Sequence, residues 1–224
     1  MNFSYSRMFV LFIAFLGVTF AVLAGETALA YLGGFQLNFL FALALYFFAL
    51  GIGSLFPFGF FRQNRSSRNF ILLFLLLISG GFSVSFLFWI KSIHLSNLAF
   101  SSLSYFLSLA VGYLSGFIIS ETAKNDAGSP REALVAVAIG TFSGLVYCAF
   151  LSALKIDFLF SSYISGLAGS VLLLIFSAKK KSPLESGSIT PLLFFAIMAV
   201  VFVFFLQNSK EISDYLINNY LSRI

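Results

Sequence analysis

One carboxylate, Glu26, lies well inside an apolar stretch of this chain, and a charge in such a place calls for a reason. At the centre of a membrane helix an ionised side chain costs roughly 2.5–3.5 kcal/mol on insertion scales, so it marks either a site or an escape to water. As a site, Glu26 could hold a cation or carry protons. As a structural residue near its helix end, it could reach headgroup water or hydrogen-bond a Ser or Tyr. Tyr46, Tyr105, Tyr113, Tyr147 and Tyr163 fall in similar stretches and could offer hydroxyls to Glu26 or to a ligand, although tyrosines there also serve packing and interfaces. The ligand-binding candidates are therefore Glu26, Tyr113 and Tyr147. The single histidine, His94, follows Lys91 in a connection and reads as a surface residue, and the single cysteine, Cys148, reads as a small hydrophobe. One His and one Cys cannot form the ligand clusters of zinc, haem or iron–sulfur sites, nor an internal disulfide, so no metal and no cofactor is expected. There is no HExxH, nucleophile elbow, paired carboxylate or glycine-rich strand–helix loop, so no catalytic residue is assigned and the chain reads as a non-enzyme.

The elements that must position these residues are membrane helices. Of 224 residues, 60% are hydrophobic and 9% charged, with a mean hydropathy of +1.01, more than a soluble domain hides from water. Apolar runs near the ~20 residues needed to cross ~30 Å of hydrocarbon, without strand-like alternation, predict an all-α polytopic transmembrane bundle of about seven helices. The spans read as Met8–Tyr31, Leu37–Phe61, Phe70–Ile90, Leu98–Ser120, Glu132–Ala153, Phe158–Ala178 and Ile189–Leu206. The first is too long for a signal-peptide core and reads as a retained helix. Residues 1–207 then form one transmembrane domain and 208–224 a tail.

The net charge of +5 comes from connections. Arg62, Arg65 and Arg68, then Lys124 and Arg131, then Lys179, Lys180 and Lys181 alternate with connections holding only Lys91 and Lys155. The positive-inside bias predicts that the N-terminus lies in the cytoplasm and the C-terminus outside, and because it explains the basic residues no nucleic-acid role is expected. Ser129-Pro130-Arg131-Glu132 predicts a helix start with an N-cap, a first-turn proline and a capping-box glutamate, and Thr190-Pro191 repeats the cap and proline. In the tail, Ile212, Leu216, Tyr220 and Ile224 recur every fourth residue, as in a helix lying on the outer membrane surface or on a partner; a frayed polar end is the alternative.

Two spans carry small residues at every fourth position: Ser104, Ser108, Gly112, Gly116 and Ser120 in the fourth, and Ala136, Gly140, Gly144, Cys148 and Ser152 in the fifth. Such ridges let helix backbones approach closely in lipid, so the two helices cross each other or similar neighbours. Ser162, Gly166 and Ser170 continue the pattern in the sixth span. The ridges serve packing alone, or they line a cleft or slide past each other.

The order of several motifs resembles the membrane domain of bacterial spermidine synthase-like (polyamine aminopropyltransferase-like) proteins. Leu23-Ala24-Gly25-Glu26-Thr27-Ala28-Leu29-Ala30 with Gly33-Gly34 looks like that family's first helix. Phe48-Ala49-Leu50-Gly51-Ile52-Gly53-Ser54-Leu55 followed by Arg62 looks like its second, and Gly112-Tyr113-Leu114-Ser115-Gly116 with Arg131-Glu132-Ala133-Leu134 and Gly144 looks like its fourth and fifth. The resemblance runs from about Gly17 to Phe176. It departs at Thr141-Phe142, where the family has an Asp-Tyr pair, and no nucleotide-binding catalytic domain follows the seventh span. It implies a helical bundle of a bacterial inner (cytoplasmic) membrane without aminopropyl transfer, with a pocket for a polyamine or another ligand. The expected function is a non-catalytic subunit or scaffold of a membrane complex, in contact with other membrane proteins or forming a homo-oligomer, and able to bind a small ligand. The alternative is a small cation or polyamine transporter that uses Glu26.

Overall fold

In the computed structural model, the described residues are 5–32, 36–55, 65–92, 96–126, 130–178 and 189–221. His94, Ser129, Arg62 and Lys179 to Lys181 lie outside them. The chain forms α1 (Tyr5–Leu32), α2 (Gln36–Leu55), α3 (Arg65–Gly81), α4 (Ser83–Ser92), α5 (Asn97–Asp126), α6 (Pro130–Ala153), α7 (Phe158–Ala178), α8 (Ile189–Gln207) and α9 (Ser209–Leu221). Among the described residues, five helices are long and apolar enough to cross a bilayer, and the bent pairs α3–α4 and α8–α9 raise the number to seven. The all-α bundle expected from composition is the fold observed, and the chain is a multi-helix membrane protein.

The third span is broken where the sequence reads as continuous. α3 and α4 meet at 46° beside Ser79-Gly80-Gly81. Gly80 lies against the ring of Phe20 and Gly81 against that of Phe202, closer than any side chain would allow. Ser83 Oγ donates to the Gly80 carbonyl at 2.6 Å, and such glycine–serine sites are where helices bend. The fourth span runs on through Glu121 to Asp126, with Thr122 Oγ1 donating to the Ile118 carbonyl at 2.8 Å. α8 begins at Ile189, which places Thr190 inside the first turn rather than at the cap.

α1 is the hub, packed against α2 to α7, and almost its whole apolar length is buried inside the protein. The two small-residue ridges do not pack on each other. That of α5 runs along α2 in parallel: Gly112 lies against the Tyr46 carbonyl, Gly116 against the Leu50 carbonyl, and Ser120 Oγ donates to the Ser54 carbonyl at 2.9 Å, an offset of 66 residues. That of α6 runs along α1, also in parallel: Gly140 on the Leu11 carbonyl, Gly144 on Phe15 and Val18, and Cys148 Sγ 3.8 Å from the Thr19 carbonyl, an offset of 129. Each ridge thus meets a stripe of carbonyls on its neighbour, the close backbone approach that only small residues permit. In α7, Gly166 packs on Phe202 of α8 and Ser162 Oγ donates to the Gly81 carbonyl at 2.7 Å.

α6 ends without glycine. Lys155 takes the left-handed conformation (φ 54°), and the Ile156 N–H reaches the Leu151 carbonyl at 3.2 Å, a Schellman closure. Asp157 then caps α7 through Leu159 N–H at 3.2 Å. At the far end α9 turns by 60° from α8. It packs on α4, α7 and α8 of its own chain, with Ile212 against the core. Of the tail's four apolar positions, Ile212 is the one with a described side chain; Leu216 and Tyr220 have none described, and Ile224 lies outside the described residues.

Candidate functional site

The three residues singled out as ligand-binding candidates lie on three helices, Glu26 on α1, Tyr113 on α5 and Tyr147 on α6. Glu26 is half-buried near the end of α1, beside Gly25, which abuts the ring of Phe39. It lies within electrostatic reach of Cys148 on α6. Tyr147, half-buried on α6, stacks at 5.5 Å on Phe15 and accepts a hydrogen bond from Ser165 Oγ at 3.5 Å. Phe15 and Glu26 are roughly 16 Å apart along α1 at 1.5 Å rise per residue. Tyr113 turns its backbone carbonyl to Gly53 of α2. Ser108 is fully buried and bonds the Ser104 carbonyl at 3.1 Å.

The remaining tyrosines of the spans also have structural settings. Tyr105 Oη donates to Asn38 Oδ1 at 2.9 Å across α5 and α2. Tyr46 is fully buried where α1, α2 and α5 meet. Lys91, 9% exposed, is held by Asn97 Oδ1 at 3.0 Å and stands 5.6 Å from the centre of the Phe100 ring.

Tyr163 leads to a different place. Fully buried on α7, it shares a 2.6 Å hydrogen bond with Ser85 of α4 and packs at 5.5 Å on Phe205 of α8. Phe82 meets the same Phe205 ring at 5.2 Å. These rings back a cleft of about 380 Å³ lined by Ser85, Trp89, Tyr163, Phe205, Glu211, Ile212 and Tyr215, closed on one side by α9. Trp89 and Tyr215 are exposed at 52% and 67%, so two aromatic faces stand at the rim while the Tyr163 ring is fixed behind them. Glu211 of α9 contributes to a wall that is otherwise almost wholly apolar and is itself exposed, so a carboxylate stands in the neighbourhood of the rings. Aromatic faces attract cations, and a carboxylate beside them adds charge selection.

Sequence reasoning had no route to this cleft. Trp89, Phe205 and Tyr215 are scattered over three helices, each an ordinary interfacial aromatic by itself. The bend between α8 and α9 brings them together, and hydropathy does not encode that bend. Among the described residues no group of three His, Cys, Asp or Glu side chains could hold a metal ion. Comparison with protein-family models, with curated proteins and with solved structures yields no match.

Proposed function

We propose that this is a non-catalytic multi-pass protein of a bacterial cytoplasmic membrane that binds a small organic cation beneath α9. The observation that carries the reading is the cleft formed by Trp89, Tyr163, Phe205 and Tyr215 with Glu211 on its wall. Alkylammonium groups suit such a site, because they combine positive charge with apolar surface. The motif resemblance to membrane domains of polyamine synthase-like proteins favours the same ligand class, with Glu211 in place of Glu26 as the charge-recognition group. The positive-inside bias puts the cleft on the outer face, opposite Lys124 and Arg131. In this reading the bundle is a ligand-bearing subunit or scaffold of a membrane complex. Transport of a small cation or polyamine through Glu26 is the alternative.

The chain's only tryptophan lines the cleft, so intrinsic fluorescence reports on the site directly. In lipid nanodiscs, titration with spermidine or tetraethylammonium is expected to give a saturable change. Fluorescence that stays flat or drifts linearly with both probes would overturn the reading.

A further inference from the structure

α5 and α6 both lean on α1, yet they scarcely touch each other, and α2 closes only part of the gap between them. The result is a second cleft, of about 410 Å³, at the end of the bundle opposite α9. Its walls are almost wholly apolar: Leu50 from α2, Ile119 and Ala123 from α5, and Ala133, Leu134 and Val137 from α6. Ser120 and Ser54, the polar residues within it, are tied by the Ser120 Oγ hydrogen bond to the Ser54 carbonyl at 2.9 Å. Leu134 on one flank is 70% exposed and nearby Leu55 at the end of α2 is 73% exposed, so the cleft opens sideways to where lipid chains run. Its volume falls within the ~300–1,000 Å³ of small-molecule sites.

The charged residue of the lining is a cation. Lys124, exposed in the last turn of α5, lines the mouth. Arg131 is exposed in the first turn of α6, whose N-terminus also favours an anion. Carboxylates stand at this end as well: Glu132 is in an ion pair with Arg7, Glu121 of α5 has an interaction of its own, and Asp126 closes α5. An apolar slot open to the hydrocarbon, with cations where headgroups lie, matches one occupant class: an anionic glycerophospholipid.

We infer that this cleft is a binding site for one anionic phospholipid, an acyl chain between α5 and α6 and the phosphate at Lys124 and Arg131. The site is separate from the cation cleft and does not depend on that reading.

Native mass spectrometry of the full chain with added phosphatidylglycerol or phosphatidylcholine tests it. Phosphatidylglycerol is expected to be retained about 25-fold more strongly, roughly 5-fold for each of the two cations near its headgroup, and Lys124→Gln to lower that preference about 5-fold. Lys155→Gln, at the opposite end, serves as the charge control and leaves the preference intact. Ala123→Phe fills the slot and lowers retention of both lipids, while an unchanged thermal unfolding midpoint in detergent checks that this variant is folded. Soluble glycerol phosphate at the same concentration leaves the bound lipid in place. Equal retention of the two lipids, equal effects of the two lysine variants, or displacement by glycerol phosphate would each overturn the inference.

Discussion

The hydroxyl oxygens of Tyr46 and Ser115 crowd the same face of Gly17, both are buried, and neither has a partner beyond the other. A β-carbon at residue 17 would stand 2.7 Å from Tyr46 Oη and closer still to Ser115 Oγ. Gly17→Ala is therefore expected to destabilise by ~1–3 kcal/mol through overpacking. Tyr46→Phe, which removes an incompletely satisfied buried hydroxyl, should be neutral or stabilising by ~1 kcal/mol. Thermal unfolding in detergent distinguishes them; a loss for Tyr46→Phe as large as that for Gly17→Ala would mean the hydroxyl has a further partner.

Two glycines one residue apart on α2 make a matched pair. A β-carbon on Gly53 would run into the Tyr113 carbonyl and lie 3.1 Å from the Phe117 backbone nitrogen, whereas one on Gly51 would meet nothing within 4 Å. Gly51→Ala should raise stability by ~0.5–1 kcal/mol through helix propensity. Gly53→Ala should cost more than that, because backbone cannot step aside. Equal effects on the detergent melting midpoint would refute the parallel α2–α5 approach.

These two glycines show where the sequence was legible and where it was not. Hydropathy located the membrane helices, and four-residue spacing marked the ridge residues on α5 and α6. Neither signal names the partner of a ridge. α1 and α8 are both apolar on every side, yet one is the buried hub while the other shows Leu193, Val200 and Phe204 at its surface. In lipid both environments favour the same residues, so composition cannot separate them. The cation cleft was illegible for another reason: its aromatic side chains converge only after two helix bends.

For the cation cleft, Glu211→Gln is expected to weaken spermidine binding by ~2- to 5-fold, the scale of an exposed ion pair. Tyr215→Leu removes one aromatic face and should weaken it by a comparable or larger factor. Glu26→Gln should leave the fluorescence titration unchanged. A loss of binding confined to Glu26→Gln would move the charge-recognition role back to α1.

Arg7 and Glu132 join the first turns of α1 and α6. Their side chains are 21% and 40% exposed, so solvent and salt weaken the pair to ~0.5–1 kcal/mol. A double-mutant cycle with Arg7→Gln and Glu132→Gln should show that coupling at low salt and lose most of it in 1 M salt. Coupling that persists undiminished would indicate a drier contact than the structure has.

Lys91 tests the opposite end. Lys91→Met keeps most of the side-chain length while removing the hydrogen bond to Asn97 and the charge near Phe100. A cost of ~1–2 kcal/mol is expected in the unfolding midpoint. No change would show that the aliphatic stem alone holds α4 to the start of α5.

A ridge that repeats every fourth residue against carbonyls that repeat every fourth residue is nearly self-similar. Sliding α5 along α2, or α6 along α1, by one turn, about 6 Å, brings small residues back over carbonyls. The ridges therefore set the spacing and direction of each pair but distinguish poorly between neighbouring registers. The alignment is fixed by groups that do not repeat: the Arg7–Glu132 ion pair for α1 and α6, and the Tyr105–Asn38 hydrogen bond for α2 and α5. These contacts act as index marks on two otherwise uniform rails, so losing them would leave the helices packed but free to settle a turn out of place.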